Sequence, residues 1–288
     1  MTAASLTLIL AAAIAHATWN LYAKRAGEAA GPAFLWLFAV GSVILYLPAV
    51  MGFVAWTRPS LDLRMPLLVL GSGALHLGYF TLLQRGYGQG DLSLVYPLAR
   101  GTGPLLSSFG AVVLLDERPG IHGWIGICLA SAGVLVLAAA RRPAERAGTR
   151  VAAAYGVGAG VLIAFYTLWD RQAVAAVGVP PLLMTWSTDL TRAALLGRRA
   201  TADWATVRDT WRSYRREVLG VAILSPLAYL LVLSALAVSP VSAVAPAREV
   251  SVVLGVLLGS RLLAERDLAP RLASATAIAL GIVMVSIS

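Results

Sequence analysis

Ten stretches of mostly apolar residues, each near the ~20 that an α-helix needs to cross a bilayer, follow one another along this chain with only short polar breaks between them. No soluble core could bury them all, so lipid must be the solvent for most of the chain. Hydrophobic residues make up 59% of the sequence and charged ones 13%, which excludes a soluble domain of ordinary makeup. Spans are expected at about 4–22, 33–56, 65–84, 92–115, 121–140, 152–174, 180–197, 217–237, 241–263 and 270–287. The first, from Leu6 onward, has no basic leader or cleavage site and reads as a retained span, not a signal peptide. The seventh is the weakest, because Asp189 and Arg192 interrupt it and Arg198 and Arg199 close it.

The net charge of +9 would point to nucleic acid in a soluble protein. Here the excess arginines lie mainly in the breaks between spans, where a cytoplasmic bias explains them. Most fall after odd-numbered helices, which puts those connections in the cytoplasm, and an even number of spans puts both termini on one side. Residues 198–216 carry six arginines and read as a surface loop or an interfacial amphipathic piece. Residues 141–150 (RRPAERAGTR) read as a basic linker between two units, 1–140 and 151–288. The single cysteine, Cys128, excludes an internal disulfide and a cysteine-based metal cluster, and its apolar surroundings predict a small buried residue.

The two units repeat each other. Leu115-Asp116-Glu117-Arg118 returns as Leu263-Ala264-Glu265-Arg266, and at the same offset of 148 Gly133 falls on Gly281 and Arg100 on Arg248. Trp19-Asn20 returns as Trp169-Asp170 at an offset of 150, and Pro97 returns as Pro246 at 149. Preserved order makes chance a poor explanation. An odd number of helices per unit turns the second copy upside down, so the expected architecture is an all-α membrane protein of ten transmembrane helices in two five-helix inverted repeats.

With these motifs in view, the chain resembles the EamA-like permeases of the drug/metabolite transporter superfamily over essentially its whole length. The usual Gly-Glu pair after the fourth and ninth helices stands here as Asp116-Glu117 and Ala264-Glu265, a departure that bears on the local turn. A fainter likeness, to a subset associated with phosphonate utilisation, rests on His16-Ala17-Thr18-Trp19-Asn20, Tyr166-Thr167-Leu168-Trp169-Asp170 and Tyr96-Pro97-Leu98-Ala99-Arg100. The resemblance implies a multi-pass protein of the bacterial cytoplasmic membrane that carries a small metabolite. Relatives are usually described with both termini in the cytoplasm, against the arginine distribution, so the side stays open.

Arg100 and Arg248 fall about nine and eight residues into their helices, near mid-bilayer depth. An intramembrane arginine costs ~2.5 kcal/mol or more, and it faces a cavity or a partner. As a pair they could hold a carboxylate, phosphate or phosphonate in bidentate fashion, or they could be structural counter-charges, for example Arg248 to Asp170 or Asp189. Asp170, Asp189 and Glu249 are the candidate coupling groups or counter-charges, and Asp189 and Arg192, three apart, could simply neutralise each other. Asp170 comes late in its helix, where an interfacial position is as plausible as a buried one. His16, Trp19 and Asn20 on the first helix, His76 and Tyr79 on the third, and Tyr96 beside Arg100 are candidates for substrate contact or for interhelical hydrogen bonds. Gly101 and Gly103 would leave room beside Arg100, and Gly255 and Gly259 form a small-residue packing face. No cofactor or metal is expected, since neither His16 nor His76 has a third ligand at helical spacing.

The leading functional reading is secondary transport of an anionic or zwitterionic metabolite (carboxylate, amino acid or phosphonate) by alternating access, with lipid and substrate as partners and proton coupling as an option. An intramembrane enzyme and a lipid-handling or assembly protein are the alternatives. Against an enzyme, the chain has no HExxH motif and no GxSxG elbow.

Overall fold

A computed structural model describes residues 2–26, 31–59, 63–89, 92–139, 149–251, 254 and 268–286. All regular structure among them is helical: α1 (Ala3–Ala26), α2 (Pro32–Thr57), α3 (Met65–Gln89), α4 (Leu92–Leu115), α5 (Ile121–Ala139), α6 (Thr149–Arg171) with a π-turn at Gln172–Ala176, α7 (Pro181–Thr201), α8 (Trp204–Val238), α9 (Val241–Ala247) and α10 (Leu268–Ser286). Six of the described helices, α1, α2, α3, α4, α6 and α8, are long and apolar enough to cross a membrane. Shorter apolar runs occupy α5 and α10, at Ile121–Val136 and Thr276–Val285. The second half of the expected ninth span, with Leu263-Ala264-Glu265-Arg266 and the Gly255/Gly259 face, lies outside the described residues, as does most of the expected linker.

The exterior is built for lipid. Ile14, Ile44, Met51, Leu67, Val113, Leu114 and Phe165 are exposed, while alanines and serines such as Ala39, Ser72, Ala111, Ser107 and Ala159 are fully buried. Small residues inside let helices approach closely where no hydrophobic effect drives them together. The packing is mostly across the two halves: α1 lies on α8, α3 on α6, α2 on α7, α5 on α10, and α4 on both α5 and α6. At the α5–α10 contact, a Cβ on Gly126 would stand 2.6 Å from the Gly281 carbonyl and one on Gly133 2.9 Å from the Ser274 carbonyl, so neither position accepts a side chain.

Four expectations change. Of the two readings of residues 198–216, a surface loop or an interfacial amphipathic piece, the loop is set aside: α7 runs on to Thr201 and α8 starts at Trp204. Arginine is a good helix former, and no Gly or Pro interrupts the stretch. The Asp203 side chain caps the new helix by accepting from the Thr206 amide at 3.1 Å, and a non-helical Tyr214 (φ −126°, ψ 25°) kinks α8 ten residues after its start. Cys128 is exposed rather than buried, on an outward face of α5 that lipid can cover. Gly101 and Gly103 do not open space beside Arg100; a Cβ there would meet Leu135 of α5 and Ile163 of α6. The ninth helix is interrupted: α9 stops at Ala247, Arg248 and Glu249 form a turn, and helix resumes at Val250. There the amides of Glu249 and Ser251 reach only three residues back, at 3.0 and 3.1 Å, the tighter pattern of a 3₁₀ turn.

The departure at Asp116-Glu117 also gains an explanation. Asp116 sits at φ 52°, in the left-handed region that glycine occupies without strain and aspartate tolerates better than most residues. That turn aims Glu117 across the molecule at the start of α9. Its carboxylate accepts from the amides of Val241 (2.7 Å) and Ser242 (2.9 Å) and from the Ser242 hydroxyl (2.7 Å).

Candidate functional site

Helical spacing puts Tyr96 and Arg100 on one face of α4, Ser72, His76 and Tyr79 on one face of α3, and Tyr166 and Asp170 on one face of α6. The α4 and α6 helices pack on α9, and His76 and Tyr79 of α3 lie within electrostatic reach of Arg248 at its end. Arg100, 6% exposed, pairs with Glu249 at 2.8 Å and donates to the Ser251 hydroxyl at 3.3 Å. Arg248 occupies the same turn as Glu249, half-buried. Both guanidinium groups lie within electrostatic reach of His16, Tyr79, Tyr96 and Glu249. Arg248 also reaches His76, Asp170 and Tyr229. Among the described residues Arg248 makes no ion pair, so the expected counter-charges Asp170 and Asp189 are not its direct partners.

An aromatic wall links the arginines to a buried acid. His76 stacks on Tyr166 with ring centroids 4.0 Å apart and meets Tyr229 edge-on at 5.1 Å, while Tyr79 meets Tyr166 at 6.0 Å. His76 Nδ1 is placed by the Ser72 carbonyl at 2.9 Å. At the far end the Tyr229 hydroxyl donates to the Asp170 carboxylate, which is fully buried rather than interfacial. On α1, His16 packs edge-on against Trp19 at 4.9 Å, and the Asn20 amide donates to the His16 carbonyl at 2.8 Å.

Asp189 lies elsewhere, between α2 and α7. It pairs with Arg192 at 2.7 Å, and Arg192 sits 5.7 Å from the Phe38 ring. That is the neutralising arrangement their spacing suggested. Among the described residues no group of three His, Cys, Asp or Glu side chains stands close enough to hold a metal.

The central cluster carries two arginines and two acids, and it is incompletely satisfied. Nε of Arg100, Oε2 of Glu249 and Oδ1 of Asp170 have no hydrogen-bond partner among the described residues, although the Ser72 hydroxyl stands close to Asp170. Buried charged atoms rarely stay unpaired, so this arrangement can accept both a donor and an acceptor from a small polar molecule.

The model of the EamA-like transporter family matches residues 3–139, from the start of α1 to the end of α5. Over that stretch, just under half of the chain, the sequence is similar to the EamA-like transporter family. No curated protein matches the sequence. A crystal structure described only as that of a protein is similar over 100% of this chain and 98% of its own, with a TM-score of 0.75 and 18% identity, which shows a shared fold. In this EamA-like framework, sequence reading missed Tyr166, Tyr229, Ser72 and Ser251 as cluster members. Two were within reach: Tyr166 stands 150 residues after His16 and Tyr229 150 after Tyr79, the offset that relates Trp19-Asn20 to Trp169-Asp170. Ser251 had no such signal, since its place depends on the break after Pro246.

Proposed function

We propose that this EamA-like protein is a secondary transporter of a small zwitterionic or anionic metabolite, an amino acid, carboxylate or phosphonate, in the bacterial cytoplasmic membrane. Membrane transport as such is the business of the family. The observation that carries the substrate class is the buried cluster with unsatisfied charged atoms of both signs. A carboxylate or phosphonate group suits Arg248 and the free edge of Arg100, with the planar forks supplying paired donors. An ammonium group, or a coupling proton, suits Glu249 and Asp170. The tyrosines and His76 supply a wall that selects by shape and hydrogen bonding.

Alternating access by two inverted five-helix units is supported by the packing. The contacts α1 on α8 and α3 on α6 exchange when each helix is replaced by the one five later, while α2 on α7 and α5 on α10 map onto themselves. The glycine contacts obey the same exchange: at the offset of 148, Gly126 pairs with Ser274 and Gly133 with Gly281, so Gly126 against Gly281 becomes Ser274 against Gly133. A two-fold axis requires such reciprocity. The charged turn at Arg248 and Glu249 interrupts a helix, as binding sites in such transporters do.

Sealed proteoliposomes loaded in turn with labelled amino acids, monocarboxylates and alkylphosphonates test the reading. Saturable flux of at least one class, competed by its own unlabelled form, is expected. Flux confined to cations or to uncharged solutes would contradict it.

A further inference from the structure

We propose that the amino-terminal segment of α8 is a docking surface for anionic phospholipid headgroups. The 35 residues of α8 would span ~52 Å at 1.5 Å per residue, against a hydrocarbon core of ~30 Å, so ~22 Å, more than a third of the helix, must lie outside that core. The kink at Tyr214 separates this third from the span. Tyr214 itself packs with Phe34, Ala26 and Val218, and Val207 packs with Ala33 and Ala200, so the segment is fastened to the ends of α1, α2 and α7.

The remaining faces are ordered in a way that suits a membrane surface. With Val207 and Thr210 buried against the bundle, Trp204 and Trp211, seven apart, form one edge of the helix and are 53% and 41% exposed. Next to that edge stand the exposed Arg208 and Arg212, four apart, and beyond them Thr206, Asp209 and Ser213. The order is indole, guanidinium, acid. Indoles settle at the headgroup level, and arginines beside them meet phosphates. Further cations rim the same end: Arg198 and Arg199 close α7, Arg215 and Arg216 follow the kink, and Arg25 lies 6.0 Å from the Tyr22 ring that packs on Gly220. The acids nearby offset this only in part. Asp203 is engaged as the helix cap, Asp209 stands three residues before Arg212 and offsets one of the cations on that face, and Glu217 is half-buried. Charge complementarity therefore selects an anionic headgroup over a zwitterionic one.

The test is lipid retention by the purified full chain, read by native mass spectrometry and by thermal melting. Phosphatidylglycerol and phosphatidylcholine with the same acyl chains are titrated separately, with inorganic phosphate as a further arm. Preferential retention of phosphatidylglycerol is expected, weakened about fivefold or more in the double variant Arg208→Gln/Arg212→Gln. Arg208→Lys/Arg212→Lys should keep most of the preference, and Arg58→Gln, at the opposite end of the bundle, should keep all of it. Equal retention of the two lipids, the same loss in Arg58→Gln, or no loss in the double glutamine variant would each overturn the proposal. Stabilisation by inorganic phosphate equal to that by phosphatidylglycerol would also overturn it, in favour of a free-anion site. Melting in phosphatidylcholine alone checks that the exposed substitutions leave the fold intact.

Discussion

Replacing Glu117 tests how the two halves are joined. The residue lies just beyond α4, yet its carboxylate receives three hydrogen bonds from the first turn of α9, at 2.7, 2.9 and 2.7 Å. Two of these come from amides at a helix start, which have no partner within their own helix. Every residue of α9 is buried, so water has little access to replace the carboxylate. Bonds to a charged acceptor contribute ~1.5–3 kcal/mol each at best, and the three share one carboxylate, so Glu117→Ala should cost about 3–5 kcal/mol. Glu117→Gln keeps one acceptor oxygen without the charge and should cost about 1–2 kcal/mol. Thermal and SDS-induced unfolding of the purified variants should give the order parent, Gln, Ala. Transport should fall faster than stability, because α9 leads directly into Arg248 and Glu249. An alanine variant that melts like the parent would refute the assignment of Glu117 as the clamp between halves.

Two further outcomes are expected. Asp116→Gly should stabilise by up to about 1 kcal/mol, since it relieves a left-handed φ of 52°, whereas Asp116→Val should destabilise; melting temperatures of the pair decide this. The Thr206 hydroxyl and amide hold the Asp203 carboxyl below the usual aspartate range, so its cap is complete above about pH 4 and is lost as pH falls through the lowered folded value. Asp203→Asn should remove that acid limb from melting curves recorded between about pH 5 and pH 2.

Much of the fold was legible because lipid imposes a length on each helix. The fourth span, 92–115, matches α4 to the residue, and the second misses α2 by one residue at each end. The errors have physical causes. At 198–216 the arginines left a surface loop and an interfacial amphipathic piece both open, because charge decides depth in the membrane and not helicity; the stretch is helical apart from the turn at Ala202 and Asp203. Pro246 marked the ninth span as disrupted beside Arg248, but a proline inside an apolar run does not say whether the helix bends or stops, so the turn at Arg248 and Glu249 was not placed. The site was legible wherever one helix carried it: Tyr96 with Arg100, and Asp189 with Arg192, follow from spacing alone. Partners from different helices were not. Glu249 stood as a possible coupling group or counter-charge with no partner assigned, and its partner is Arg100, 149 positions away. Tyr229 meets Asp170 through the α6–α8 packing, and only the repeat offset hinted at it.

The central claim is that Arg100 and Arg248 bind the transported molecule. It is tested most directly by the flux of proteoliposomes containing Arg248→Lys or Arg100→Lys, reconstituted at equal density after each variant is shown to melt like the parent. Lysine keeps the charge and loses the planar fork, so apparent affinity for the carboxylate or phosphonate substrate should fall about tenfold or more in each variant. Parental affinity and rate in both would contradict the account and leave the two arginines as structural counter-charges.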